Sequence, residues 1–282
     1  MTADEFAFLR RFLRERSGLD LQVERRYLAE SRLRPVWRAA GLDSAGALIG
    51  RLMQREDGAL SQAVLDAMAT HETMFFRDRA TFETLKSVVL PRLVAARGRV
   101  RRLRIWSAAA STGQEAYSVA MLLADLPAPG LSGWQVTILG TDLSEAVLAR
   151  ARTGTYSQFE VQRGLPIRSL LQHFTQGSEG WTVSPALRRA VEFRTFNILD
   201  DMRPLGRFDL VLCRNLLIYL DGPTKARLLA KLAGVLAPDG VLCLGATETP
   251  HGLSGAFIPD PAARGFSVLN SHQAPALLEA TG

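Results

Sequence analysis

Apolar positions recur at helical spacing through residues 3 to 68. Phe6, Leu9, Phe12 and Leu13 form one stripe, Leu28, Leu33, Val36 and Trp37 a second, and Leu48, Leu52, Ala63, Leu65 and Met68 a third. Gly18 and Gly41 punctuate these runs as helix stops. From Val100 the rhythm changes to short apolar strands separated by helices, which predicts a mainly parallel sheet. The first strand holds Leu103 and Ile105, the second runs from Trp134 to Leu139, the third from Phe208 to Cys213, and another from Val241 to Leu244. Thr153 to Arg194 breaks the alternation. Its turn-rich patch Gln176-Gly177-Ser178-Glu179-Gly180 lies before Trp181-Thr182-Val183 and Val191-Glu192-Phe193, predicting a small insertion of short antiparallel strands. The tail after His272 is expected to fray.

Two strand ends carry candidate chemistry. After the first comes a run of small residues, Ser107-Ala108-Ala109-Ala110-Ser111-Thr112-Gly113, and then a helix from Glu115. Small side chains there let backbone approach a ligand, and a doubly wound fold binds beyond the carboxyl ends of its strands. The run lacks both the dinucleotide and the P-loop glycine patterns. The second strand ends in Gly140-Thr141-Asp142, with Ser144 as helix cap, and its acid is placed to accept hydrogen bonds from a ribose. Between the helical half and the first strand, Thr70 to Asp78 (THETMFFRD) joins a polar cluster to two phenylalanines and Arg77. By itself it reads as a hinge anchored by Phe75 and Phe76.

Composition narrows the class. The 282 residues are 47% hydrophobic and 22% charged, ordinary for a globular protein with an ample core. No apolar run approaches the roughly 20 residues that span a bilayer, and the N-terminus lacks signal-peptide character, so a cytoplasmic protein without membrane insertion is expected. Cys213 and Cys243 sit in apolar strands and read as buried structural thiols. His71, His173, His251 and His272 lack metal-ligand spacing, so no metal site is expected. The net charge is +6, with arginines concentrated in Arg10, Arg11, Arg14, Arg16, Arg25, Arg26, Arg32, Arg34 and Arg38, and again from Arg92 to Arg104. Such a surface suits an acidic partner, while interleaved acids such as Glu15, Asp20 and Glu30 allow an ordinary solvated face.

The ordered motifs resemble the chemotaxis receptor methyltransferases, the CheR family. The pieces are Thr73 to Asp78 (TMFFRD), Trp106 to Ser118 (WSAAASTGQEAYS), Gly140-Thr141-Asp142, Glu160 to Pro166 (EVQRGLP), Asn197-Ile198-Leu199, Phe208 to Tyr219 (FDLVLCRNLLIY) and Leu244 to Glu248 (LGATE). The likeness runs from residue 5 to about 268. It implies an all-helical N-terminal domain (1–75) and a Rossmann-like α/β domain (76–282) dependent on S-adenosyl-L-methionine (AdoMet). The antiparallel insertion at 153–194 would meet receptors. The implied substrate is a glutamate side chain on a chemoreceptor cytoplasmic domain. The resemblance further implies that Thr73 and Arg77 line the methyl-donor pocket, Glu115 contacts the amino-acid end of AdoMet, and Asp142 the ribose. Asn197, Ile198, Arg214 and Asn215 would approach the adenine and sulfonium sides. His71 stands where members often carry Asn, making that cofactor contact dependent on pH and tautomer. The segment between Phe174 and Trp181 is shorter than in members that dock on a receptor's C-terminal pentapeptide, which argues against such tethering.

The chemistry agrees with this residue set. A glutamate carboxylate has a reference pKa of about 4.3, so it is already anionic at neutral pH and needs neither general base nor metal. It must be held in line with the methyl group, away from water. Arg77 as a fork and Tyr219 as a hydroxyl donor fit that catalytic task. Two other classes compete. A nucleic-acid methyltransferase would suit the basic balance, but no Asn-Pro-Pro-Tyr-like tetrad follows the Phe208 strand and no basic residues interleave with stacking aromatics, so no nucleic acid is expected. A non-catalytic AdoMet-binding regulator is disfavoured by an intact Arg77, Asp142 and Tyr219.

Overall fold

The computed structural model describes residues 1–54, 57–127 and 130–271, and the tail expected to fray lies outside them. The chain divides into two compact units, one of residues 1–70 with 219–224, the other of residues 71–218 and those from 225 onward.

The first unit is helical, with α1 (Ala3–Ser17), α2 (Arg26–Ala39), α3 (Ala45–Gln54) and α4 (Gly58–Met68). Each end has a cause. Thr2 and Glu5 form a reciprocal capping box on α1, and Gly18 ends it in the left-handed conformation at φ 78°. Asp57 caps α4 by accepting from the Leu60 N–H. Phe6, Leu9, Leu13, Leu33, Leu48, Leu52, Leu65 and Met68 are buried as the periodicity predicts, with Ile49 and Val64 beside them, whereas Leu28 is exposed because Ala29 and Leu33 define the inward face of α2. Arg32 is held within the unit, donating to the Met68 carbonyl at 2.8 Å. The segment 219–224 joins by main chain, with the Asp20 N–H donating to the Tyr219 carbonyl at 2.8 Å.

The second unit begins with α5 (Arg79–Thr84), a π-helical turn (Leu85–Val89) and α6 (Leu90–Arg97). Then come β1 (Arg102–Ala108), α7 (Gln114–Ala124), β2 (Gln135–Asp142) and α8 (Glu145–Thr153). An excursion follows, made of β3 (Thr155–Tyr156), α9 (Gln158–Gln162), α10 (Ile167–His173), β4 (Phe174–Gly177) and β5 (Gly180–Val183). The chain returns through α11 (Pro185–Ala190) to β6 (Val191–Thr195), then β7 (Phe208–Cys213), α12 (Gly222–Val235), β8 (Leu236–Leu244), β9 (Phe257–Pro259) and β10 (Phe266–Leu269). The main sheet runs β6-β2-β1-β7-β8-β10-β9, parallel except where β10 meets its neighbours. The excursion forms a separate antiparallel sheet, β3-β5-β4. This is the expected α/β, Rossmann-like architecture with a small antiparallel insertion.

One strand reading is corrected. Val191–Phe193, expected among the antiparallel strands of the insertion, belongs to β6, which pairs parallel with β2 as an edge of the main sheet. α11 supplies the crossover that a parallel strand requires, and six residues were too few to register as a helix by periodicity. Trp106 is core, as expected, stacked on Phe208 at 5.3 Å between centroids and donating through Nε1 to Thr141 Oγ1 at 2.9 Å. Both cysteines are free and buried, and burial pushes the Cys243 thiol up to about 12 and Cys213 well above its usual value. Neither is poised as a thiolate nucleophile.

Three of the arginines between 92 and 104 neither await a partner nor merely coat a helix, while Arg99, Arg101 and Arg102 are exposed. Arg92 pairs with Asp260, Arg97 bridges Asp209 and Asp239, and Arg104 donates to the carbonyls of Arg207 at 2.8 Å and Leu205 at 2.7 Å. They brace the α6 and β1 side of the sheet to the loops around β7 and β8.

Candidate functional site

The strand order places a topological switch between β1 and β7: from β1 the chain winds outward through β2 to β6, then returns to β7 and β8 on the other side. The crevice at the carboxyl ends of these strands is where an open α/β sheet takes a ligand. Four candidate groups leave that edge: the turn after β1, Asp142 at the end of β2, Asn197 and Ile198 beyond β6, and Arg214 and Asn215 after β7.

The turn after β1 is conformationally demanding. Ala109, Ser111 and Gly113 all have positive φ, at 60°, 51° and 94°. A Cβ on Gly113 would approach Ala151, Phe193 and the Tyr156 hydroxyl at 3.0–3.1 Å, so the turn is packed tightly from behind. Tyr156 donates to the Thr112 carbonyl at 2.8 Å, tying the insertion to this turn. Asp142, buried at the end of β2, accepts from the Ser111 N–H at 2.9 Å and the Ser144 N–H at 3.1 Å. Its carboxylate thus locks two loops by one lone pair on each oxygen and keeps acceptor capacity on both. Ser144 occupies the N-cap position, but its hydroxyl does not cap α8 as expected; it is buried without a partner among the described residues.

Arg214 is buried at the exit of β7. It donates to Glu115 Oε2 at 2.9 Å, Asp78 Oδ2 at 2.7 Å and the Arg77 carbonyl at 2.7 Å, while Ser107 donates to the other Glu115 oxygen at 2.7 Å. Burial alone would lower the Arg214 pKa, yet Glu115 and Asp78 reverse the shift and hold it charged. One cation therefore binds the start of α7, the end of β7 and the start of α5. The network is strong only while whole, because removing one partner strands the others in a desolvated place. Its Nε is buried without a partner among the described residues.

The 70–78 segment is held by small hydroxyl residues that the motif reading did not single out. Ser111 Oγ donates to the His71 carbonyl at 2.8 Å, and Ser118 Oγ accepts from the Phe76 N–H at 3.0 Å. Phe76 and Asp78 have positive φ, 49° and 62°, so Arg77 sits between two left-handed residues. Phe75 is fully buried against Tyr156 and Phe174. Gly164 explains the glycine of EVQRGLP: its φ is 83°, and a Cβ there would stand 2.1 Å from the Phe75 carbonyl. Arg77 is half-buried and donates to the Glu72 carbonyl at 3.0 Å. His71 and Thr73 line a cavity of about 390 Å³ with Thr112, Gln114, Arg150 and Arg163.

The structure thus brings together Glu115, Arg214 and the Arg77 backbone, and separately Asp142 with the turn after β1. Asn197 folds onto its own turn, its Oδ1 accepting from the Leu199 N–H at 3.0 Å, with Ile198 half-buried beside it. Asn215 is left-handed at φ 57°. Tyr219 closes a 3-10 turn, Leu217–Tyr219, and groups with the helical unit, whereas Arg77 belongs to the sheet unit. Among the described residues no group of three or more His, Cys, Asp or Glu side chains is placed to hold a metal ion.

Residues 71–264 match the sequence model described as CheR methyltransferase, SAM binding domain. The residues at the carboxyl edge of the sheet fit that cofactor: Asp142 keeps acceptors for hydroxyls, and the orphaned Ser144 Oγ and Arg214 Nε leave buried polar capacity beyond β2 and β7. The fold and the matched domain are those of an AdoMet-dependent methyltransferase.

Residues 4–69 match a second model, CheR methyltransferase, all-alpha domain. The chain is 42% identical over 252 residues to Chemotaxis protein methyltransferase 1 of Pseudomonas aeruginosa, covering 88% of this chain and 91% of that relative. It is 40% identical to Chemotaxis protein methyltransferase Cher2 of Pseudomonas putida over the same shares. To the Chemotaxis protein methyltransferase of Vibrio parahaemolyticus it is 36% identical, covering 90% of this chain and 92% of the other. The chain belongs to the CheR methyltransferase family, and its methyl transfer serves chemotaxis.

Proposed function

We propose that the protein methylates glutamate side-chain carboxylates on the cytoplasmic domains of chemoreceptors, working in the cytoplasm and forming methyl esters for sensory adaptation. The observation that carries this reading is Arg77. It is a half-buried guanidinium, held between two left-handed residues, with its own carbonyl fixed by Arg214. A planar fork whose backbone cannot shift is suited to holding a carboxylate at one angle.

AdoMet, when bound, supplies an electrophilic methyl carbon on its sulfonium. The residues of the chain do the rest. Asp142 accepts from ribose hydroxyls, Glu115 receives the amino-acid end, and His71, Thr73, Asn197, Ile198, Arg214 and Asn215 complete the cofactor's surroundings. Arg77 orients the incoming glutamate, which arrives already ionised, and Tyr219 donates a hydrogen bond that fixes its angle. No side chain has to remove a proton. The proposed receptor contacts are the arginine-bearing face of α2 and the antiparallel insertion, without a requirement for a receptor tail peptide and with no role for nucleic acid.

The test is transfer of labelled methyl from AdoMet to a chemoreceptor cytoplasmic fragment, read as volatile methanol released by base. Wild type is expected to give volatile label, and Arg77→Ala to reduce kcat about 100-fold at saturating AdoMet, the size seen when one preorganised donor to a reacting anion is removed. Alkali-stable label, or full activity in Arg77→Ala, refutes the assignment.

A further inference from the structure

The loop after β8 contains a carboxylate with an unusual load. Glu248 Oε2 accepts from the Gly245 N–H at 2.7 Å and the Asn215 N–H at 2.8 Å, and Oε1 accepts from the Ile218 N–H at 3.2 Å. The Glu248 N–H returns a bond to the Gly245 carbonyl at 2.9 Å, closing the turn that aims the side chain. The placement follows from the sheet: β7 and β8 run parallel with Cys213 opposite Leu244, so the loops leaving both strands start side by side. Residue 245 has no room for a side chain, since a Cβ there would lie 2.6 Å from Glu248 Oε2 and 3.0 Å from the Asn215 nitrogen. Three N–H donors converge on one group that can only accept, and one of them belongs to Asn215, held left-handed at φ 57°.

We infer that Glu248 is a positioning residue of this methyltransferase: it fixes the turn after β7 so that Asn215 is presented to the cofactor. Arg214 anchors the same turn one residue earlier through its side chain, but its bonds leave the Asn215 and Ile218 amides to Glu248. The inference rests on the reading of Asn215 as an AdoMet contact.

Isothermal titration with S-adenosyl-L-homocysteine tests it in the full-length protein. Glu248→Gln keeps size but offers an amide NH2 where an acceptor is needed, and about a tenfold rise in Kd is expected with stoichiometry unchanged. A merely structural role would lower the bound fraction and leave Kd alone. Gly245→Ala, whose Cβ would displace the carboxylate and also press on Asn215, is expected to raise Kd at least as much and to stand in should Glu248→Gln fold poorly. Asn215→Ala should weaken binding, and adding Glu248→Gln to it should cost little more, because both act through one contact. In turnover, KM for AdoMet should rise while kcat stays within about twofold. Wild-type Kd in both Glu248→Gln and Gly245→Ala, or full additivity with Asn215→Ala, overturns the inference while leaving Asn215 at the cofactor. An Asn215→Ala variant that binds normally removes the parent reading, and the inference with it.

Discussion

Gly140 shows how little freedom the residues around the cofactor edge retain. It lies two positions before Asp142 on β2, and a Cβ there would stand 2.6 Å from Phe193 Cδ1 and 2.7 Å from Cε1. The ring cannot retreat easily, because it also packs edge-on against Tyr117 at 5.6 Å. Gly140→Ala is therefore an overpacking change and is expected to destabilise the protein by about 1–3 kcal/mol. It should also weaken S-adenosyl-L-homocysteine binding, since β2 cannot shift without moving Asp142. Phe193→Leu in the same chain removes the colliding ring edge and should restore part of both losses. Thermal melts with and without the ligand separate the two effects; a Gly140→Ala melt equal to wild type would show that β2 yields at no cost.

At the scale of elements, ion pairs rather than apolar packing alone fasten the far side of the sheet. Asp260, beyond β9, pairs with Arg92 of α6 and accepts from the Ala262 N–H at 2.9 Å, and these bonds, the arginine foremost, hold its pKa below the usual 3.8. A carboxyl depressed in the folded state contributes stability that is present above its unfolded pKa and disappears as pH falls through the folded value. Asp260→Asn should therefore lower stability at pH 7 by about 1.5–3 kcal/mol, the range for a charge-assisted bond. The gap to wild type should begin to narrow near pH 3.8 and close only below the depressed folded value, where Asp260 is neutral in both the folded and the unfolded chain. Urea midpoints across pH 2.5–7 check this, and a gap independent of pH would mean that Asp260 acts through its shape alone. The same region shows where sequence was readable. The helical stripes, the strands at Phe208–Cys213 and Val241–Leu244, and Asp142 at a strand end were all legible, because burial imposes period and order. The assignment of β6 was not, because Val191-Glu192-Phe193 alternates identically in either sheet. Nor was the bracing by Arg92, Arg97 and Arg104, whose partners lie more than 100 residues away. Within the site, the residue types at the cofactor edge were visible, while the hydroxyls of Ser111 and Ser118 and the clamp of Glu248 depend on backbone amides that no side-chain pattern reports.

For the whole molecule, the division into a helical unit and a sheet unit predicts that substrate recognition and cofactor binding can be separated by mutation. The cofactor candidates all lie in the sheet unit, whereas Tyr219, a candidate for orienting the substrate, groups with the helical unit. In the helical unit most arginines near the chain start are engaged: Arg10 donates to the Leu21 carbonyl, Arg14 pairs with Asp20 and Asp221, Arg26 with Glu30, and Arg32 grips the end of α4. Arg34 and Arg38 are different. They are exposed, one turn apart on α2, and make no ion pair or side-chain hydrogen bond with other described residues. A receptor segment rich in methylatable glutamates is an anion of extended shape, and a pair of uncommitted guanidinium groups would attract it over a Debye length of about 8 Å at physiological salt. Reversing both, Arg34→Glu with Arg38→Glu, is expected to raise KM for a receptor fragment about tenfold or more and leave the Kd for S-adenosyl-L-homocysteine unchanged. Wild-type KM should climb with added salt, and the double variant should lose that dependence, because the attraction being screened is gone. Unchanged methylation in the double variant would assign recognition to another surface. A parallel loss of cofactor affinity would show instead that the substitutions disturb the sheet unit.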